Sequence, residues 1–208
     1  MAINLHLTCW RFGNNDGTGE ANHTFRAAEN AAASLQLDTT YILRLGIQQV
    51  EATATANLAQ QFQCRQNGGS WQNITTTSTI VKAVTGVFAN NASSTQRLTT
   101  LTGSRDTSNQ NCTTDGSSGG TANDVPASGH SETVLSFQVL SANVAPGDTI
   151  DFRVTVSGPT TTITYDVTPT ATIPASATPV IAELSDANEI YSDELAGVVG
   201  HCACLPCP

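Results

Sequence analysis

The residues with the greatest capacity for chemistry in this 208-residue chain stand at its end. His201, Cys202, Cys204 and Cys207, in HCACLPCP, are four soft donors of the types zinc prefers. Adjacent His201 and Cys202 are badly placed to reach one tetrahedral ion, and zinc sites usually split their ligands into two separated pairs. Disulfides within the tail, to the body or between subunits are therefore the leading expectation, with zinc at the tail as the alternative. Cys9, Cys64 and Cys112 complete the set. Cys9 and Cys64 fall on apolar strand faces, where a buried free thiol is an equal reading. Cys112 lies in a long loop that it would staple.

A second cluster, NNDGTGE, carries Asn14, Asp16 and Glu20. Ca²⁺ takes six to eight oxygens from such turns, so calcium is the alternative cofactor here, although the spacing fits no EF-hand and Asn-Asp-Gly is also good turn chemistry. His130, Ser131 and Glu132 are no triad, because neighbours on a strand point to opposite faces. The chain contains no P-loop or His-Glu-x-x-His motif. The expectation is a non-enzymatic protein without a cofactor. Asn22, Asn73, Asn91 and Asn111 begin sequons that a Thr- and Asn-rich chain forms by chance, and are read as unmodified. Trp10 and Trp71 are either sugar-stacking platforms or packing residues.

The elements that must position these groups read as strands. In ETVLSFQVLSANVAPGDTIDFRVTVSGPTTTITYDV, Leu135, Phe137 and Val139 alternate with polar residues, as do Ile150, Phe152, Val154 and Val156, and then Ile163, Tyr165 and Val167. Period-two alternation between Pro/Gly turns predicts three antiparallel strands of one sheet, with one face on a core and one in water. Ile3, Leu5, Leu7 and Cys9 predict an N-terminal strand with Cys9 on its apolar side and a free edge for pairing. Tyr41–Gln48 is a further strand, with Leu43, Leu45 and Ile47 opposite Arg44 and Gln48. The segment 54–65 is another, returning through Asn67, Gly68 and Gly69 into Trp71 and Ile74. Ile80–Phe88 and, more weakly, Gln96–Leu101 follow. The stretch Gly103–Gly129 reads as one long loop.

Thr168–Pro179 has three prolines and reads as an exposed linker. Beyond it Leu184, Tyr191 and Leu195 fall near helical spacing opposite an acidic face, which predicts a short amphipathic helix that must dock to be stable. The predicted organisation is an all-β, antiparallel β-sandwich, jelly-roll-like or Ig-like, over 1–173, and a helical, Cys-rich tail over 174–208. Ile3, Leu5, Leu184, Tyr191 and Leu195 are the candidate docking residues.

Composition bounds the function. Charged residues make up 12% of the chain, about half the usual share, and Thr, Ser, Asn and Gln take their place. A net charge of −9 with eight scattered Lys and Arg residues argues against nucleic acid. No stretch approaches the length of a membrane span, and MAINLHLTCWRF has no signal-peptide pattern.

CWRFGNNDGTGEANHTFRAAENAAASLQLDTTYILRLGIQ, QFQCRQNGGSWQNI and VLSANVAPGDTIDFRVTVSGPTTTITYDVTPTATI together resemble a family of β-sandwich modules found in tailed-phage and uncultured-bacterial genomes. The shared pieces are a W-R-x-x-x-x-D-G turn, an F-x-A-A-E-N segment, an N-G-G-S-W hairpin and a closing G-D-T-I…V-T-P-T strand pair. The resemblance spans most of residues 7 to 173, implies a virion surface or fibre-like role, transfers no catalytic residue, and does not extend to the Cys-rich tail. The expected protein is a phage capsid decoration or cement subunit, a homo-oligomer on the virion surface bound to the major capsid protein or other virion subunits. Its alternatives are a receptor- or glycan-binding module using Gly103–Gly129 with Trp10 or Trp71, and a self-assembling filament.

Overall fold

The computed structural model describes residues 3–52, 59–106, 110–118, 124–157 and 161–175. Their regular structure is all strand: β1 (Ile3–Asn14), β2 (Ala33–Ser34), β3 (Thr40–Gln49), β4 (Ala59–Gln66), β5 (Gln72–Asn73), β6 (Val81–Ala83), β7 (Cys112–Thr113), β8 (Ser117–Ser118), β9 (His130–Val139), β10 (Thr149–Ser157), β11 (Thr161–Tyr165) and β12 (Thr170–Thr172). The first sheet runs β11-β1-β3-β9-β6, with β7 also on β9; the second runs β2-β12-β10-β4-β5, with β8 also on β4. They pack as a β-sandwich-like pair. The compact unit ends at Ala175, and the expected tail helix lies outside the described residues.

Apolar positions two apart explain the interior. Tyr41, Leu43, Leu45 and Ile47 of β3 and Leu135, Phe137 and Val139 of β9 face Phe62 and Cys64 of β4 and Ile150, Phe152 and Val154 of β10 in one core. Three rings tie the sheets together: Phe152 lies 5.6 Å from Phe12 and 5.1 Å from Phe137, centroid to centroid, edge to face. Such pairs add to the stabilisation from buried area alone. Asn67 (φ 49°) and Gly68 (φ 71°) form the predicted tight turn after β4, closed by the Gly69 N–H on the Gln66 carbonyl at 2.9 Å.

Several expectations are corrected. The sandwich is mixed rather than antiparallel, since β1–β11, β7–β9 and β12–β2 are parallel. The three alternating strands do not form one sheet: β9 and β11 belong to the first and β10 to the second. Successive strands that cross between layers leave sheet neighbours distant in sequence, which is the situation in which parallel pairing arises. Ile80–Phe88 contributes only β6. Gln96–Leu101 forms no strand, because the N–H groups of Arg97 and Leu98 bond the Glu132 carboxylate and those of Thr99 and Thr100 bond Glu29. The supposed linker begins with β12, which is zipped to β10 and β2 and buries Ala171 and Ile173. The supposed long loop supplies β7 and β8.

The N-terminal strand departs most instructively. Its register against β3 slips between Leu7, opposite Ile47, and Cys9, opposite Gly46. This bulge inserts one extra residue and inverts the alternation beyond it. Leu5 and Leu7 enter the core before the bulge and Trp10 and Phe12 after it, while Cys9 is turned to the opposite face beside Leu98 and Leu101. Nor is β1 a free edge: β3 and β11 flank it, Leu5 is fully buried and Ile3 packs on the core, so neither is available for docking.

The bulge is testable at Gly46, where an added Cβ would meet Cys9 Sγ at 2.5 Å and Leu101 Cδ2 at 2.8 Å. Gly46→Ala is expected to lower stability by about 1–3 kcal/mol, and Cys9→Ala to relieve at least about 0.5 kcal/mol of that cost in the double variant. Strictly additive urea-unfolding energies would place the Cys9 side chain elsewhere.

Candidate functional site

Ionisable side chains converge in one place, on the outer face of the first sheet. Arg44 of β3 stands opposite Val134, which sets it diagonally from Glu132 on the same face. Both are fully buried. Arg44 Nη1 donates to Glu132 Oε2 at 2.6 Å, and Nη2 donates to Glu20 Oε1 and, at 2.8 Å, to the Glu20 carbonyl. Glu132 Oε1 accepts from the N–H groups of Arg97 (2.6 Å) and Leu98 (2.8 Å). The Glu20 carboxylate also accepts from the Thr95 N–H and hydroxyl, at 3.0 and 2.8 Å. Burial pulls the Arg44 guanidinium down from its ordinary value, and Glu132 raises it.

Two loops close over this network. One, carrying Glu20, is joined to β1 by the Gly13–Phe25 bridge and by reciprocal bonds of 3.0 and 2.9 Å between Asn30 and the Trp10 backbone. The other, carrying Thr95 and Leu98, is tied to the first by Glu29, which accepts from the backbone and hydroxyls of Thr99 and Thr100. Ile42, Phe88, Cys112 and Val134 form a second apolar cluster beneath this cover. The expectation that Arg44 faces water is thus corrected: loops serve that face as its solvent boundary.

His23 lies within the network. Its Nδ1 is 2.8 Å from the Glu20 carbonyl and accordingly carries the proton, and Nε2 faces Arg44 Nε at 3.5 Å. Burial, reinforced by Arg97, lowers its pKa from 6.5 to about 4. This enclosed arrangement of satisfied charges holds the loops down and offers no open reacting position.

The outer face of the second sheet is different. Gln61, Gln63 and Arg65 of β4 and Asp151, Arg153 and Thr155 of β10 project from it half-exposed, as their alternation predicts. Arg65 Nε donates to Asp151 at 2.9 Å and Arg153 Nε to Gln63 Oε1 at 2.7 Å. Trp71, delivered by the Asn-Gly-Gly turn, lies against both guanidiniums, 4.7 Å from that of Arg65 and 4.3 Å from that of Arg153. Tyr165 approaches from the other sheet, with its ring 5.6 Å from Arg153. Its hydroxyl donates to the Val154 carbonyl at 2.9 Å, serving a ladder group of β10 beyond the end of its pairing with β12. Trp71, Phe152, Arg153, Tyr165, Val167 and Thr168 line a depression of about 130 Å³.

The residues singled out by sequence are placed as follows. Asn14, Asp16 and Glu20 do not converge: Asp16 accepts from the Thr24 N–H and hydroxyl, Asn14 bonds Thr24 and Arg26, and Glu20 turns inward to Arg44. No group of three or more His, Cys, Asp or Glu side chains among the described residues is arranged to hold a metal ion, so the geometry gives the calcium reading no support. Cys9, Cys64 and Cys112 are buried free thiols in three different clusters; burial pushes the last two up to about 12, and Cys112 fixes its loop by packing rather than as a staple. Trp10 is a core residue edge-on to Phe12. His201, Cys202, Cys204, Cys207, Leu184, Tyr191 and Leu195 lie outside the described residues. Sequence reasoning missed the Arg44–Glu132 pair and the role of Tyr165. The signal for the pair was a charged residue at matching depth in each of two long apolar strands.

Glu132→Gln removes one partner of a buried charge and is expected to destabilise by about 3–5 kcal/mol in urea unfolding. His23 gives the pH dependence a sign. Its folded pKa lies below the unfolded value, so the unfolded chain takes up the proton first. Its contribution is complete above pH 6.5 and is lost as pH falls through about 4. The urea midpoint should decline across that window, and His23→Gln should flatten the decline. No protein-family model matches the chain, and neither a curated protein nor a solved structure matches it.

Proposed function

We propose that the chain is a non-enzymatic virion structural protein, a capsid decoration or cement subunit that binds major capsid protein or other virion subunits on the exterior of a phage particle. The observation that carries this reading is the parallel clamp that joins β1 to β11. β1 and β11 pair in parallel through five registered positions, Ile3–Thr161 to Leu7–Tyr165. Tension applied at the start of β1 and the end of β11 loads that ladder in shear, so its bonds resist together rather than opening in turn. A cement subunit over capsid joints carries load of this kind. The low-charge, Thr-rich composition and the F-x-A-A-E-N segment, whose Glu29 and Asn30 lock the outer loop, accord with the same role. Alternation of β9, β10 and β11 between sheets favours the jelly-roll-like form of the sandwich over the Ig-like one. A homo-oligomer anchored by the helical Cys-rich tail completes the proposal.

The alternative, a receptor- or glycan-binding module of a tail fibre or cell surface, has one observation in its favour, the aromatic groove around Trp71. Its other expected element, Gly103–Gly129, is recruited into both sheets through β7 and β8, with Cys112 and Thr113 buried.

The cement reading predicts that purified protein is a discrete species by light scattering and electron microscopy, and that it adds saturably to the outside of emptied tailed-phage capsids. Long polymers formed by the protein alone would replace this reading with a filament subunit. Loss of an oligomer on reduction assigns the tail to disulfides, whereas loss on chelation alone assigns it to zinc.

A further inference from the structure

We infer that the groove between Trp71, Arg153 and Tyr165 binds one carboxylate-bearing pyranose of an acidic glycan. The inference rests on the glycan-binding reading and gives it a place and a ligand class.

Three observations converge on that ligand. The first is the set of surfaces: Val167 supplies apolar lining, and Tyr165 is 38% exposed, one of two large hydrophobic residues so exposed among those described. Half-buried Trp71 adds a flat indole. Aromatic faces beside a polar tip suit the C–H face and hydroxyl edge of a sugar ring.

The second is the state of Arg153. Cations are scarce in this chain, eight in all against 17 acids, and most of those described are committed to protein acceptors. Arg44 is held by Glu20 and Glu132, Arg65 by Asp151, and Arg11 and Arg26 by backbone carbonyls. Among the described residues Arg153 spends only Nε, on the neutral amide of Gln63. Stacking on Trp71 and Tyr165 fixes the plane of its fork, and no acceptor among the described residues takes its terminal nitrogens. One oriented guanidinium without an acid partner leaves a single positive charge at the groove and matches one carboxylate bidentately.

The third is size. A depression of about 130 Å³ is below the range of pockets that enclose a drug-sized ligand and accommodates one ring of a longer chain. Capture of a peptide terminus would call for a nest of backbone N–H groups, and a dianionic phosphate for several arginines. The lining consists of side chains around one unpaired arginine.

Calorimetric titration of the full chain tests the inference, using sialyllactose against lactose and tetragalacturonate against cellotetraose. At least one acidic probe should bind, roughly ten-fold or more tighter than its neutral counterpart, and more weakly as salt is raised. The preferred acid identifies the source as sialylated or uronate glycan. Arg153→Gln should reduce the acidic probe to the neutral level, Arg153→Lys should restore only part of the difference, and Trp71→Ala should abolish binding of both. Melting temperature checks that each variant is folded, and Trp71→Ala, should it fail this check, is replaced by Trp71→Leu, expected to weaken both probes. Equal binding of acidic and neutral probes overturns the acidic class and leaves the glycan reading standing. Absence of binding by any probe to the unmodified chain overturns both. Capsid addition by Arg153→Gln protein, unchanged from that of the parent, separates this site from the cement reading.

Discussion

The structure depends on how one guanidinium and two carboxylates are accommodated at the centre of the first sheet. Arg44 and Glu132 occupy positions from which alternation would send them into water, yet both are fully buried. Burying such charges costs several kcal/mol per ion unless each remaining hydrogen-bonding position is filled. The filling groups come from outside the sheet: Glu20 and His23 from one loop, the backbone of Thr95, Arg97 and Leu98 from another. The network thereby dictates where two long irregular segments must lie. It also explains why Gln96–Leu101, despite a sequence compatible with a strand, has no ladder to join.

This arrangement makes the two faces of the sandwich unequal. The first sheet is covered on both sides, by its partner sheet within and by its own loops without. The second sheet leaves a half-exposed lattice of Gln, Arg, Asp and Thr side chains bonded to one another across β4, β10 and β12. The accessible polar and aromatic side chains thus lie on the latter face and at the seam where Tyr165 reaches from β11 to β10. The hydroxyl of Tyr165 satisfies a strand carbonyl while its ring borders the groove, so one side chain serves both fold and surface.

Much of this architecture was legible in the residues themselves. Leu43-Leu45-Ile47, Leu135-Phe137-Val139 and Ile150-Phe152-Val154 announce their strands because a half-buried strand needs nothing but period two. Asn67-Gly68 announces its turn because few other residues accept two successive positive φ angles. What alternation cannot reveal is anything that interrupts it. The bulge between Leu7 and Cys9 adds a single residue, and the sequence INLHLTCWRF reads equally well in either phase. Sheet membership is hidden for a related reason, since β10 and β11 look alike whichever layer they join. The prolines of TPTATIP outweighed Ala171 and Ile173 in the reading as a linker, although Pro169 retains the carbonyl that accepts from Phe152. Trp71 was visible as a candidate platform, but Arg153 and Tyr165 beside it were not, because Arg153 reaches it across β4 and Tyr165 from the other sheet.

The pairing of β1 with β11 also sets an order of events in time. Residues 3–7 are synthesised well before one of their two partners, which lies at 161–165. Until then β1 has β3 on one flank and an open row of donors and acceptors on the other. Contacts of such span raise the entropic barrier to closure and slow folding relative to locally paired proteins. During that interval the exposed flank is a template for any extended chain nearby, including another copy of β1 itself. Crowded ribosomes on one message would place such copies side by side, so rapid expression favours tangled chains even though the finished body presents no opening along that strand.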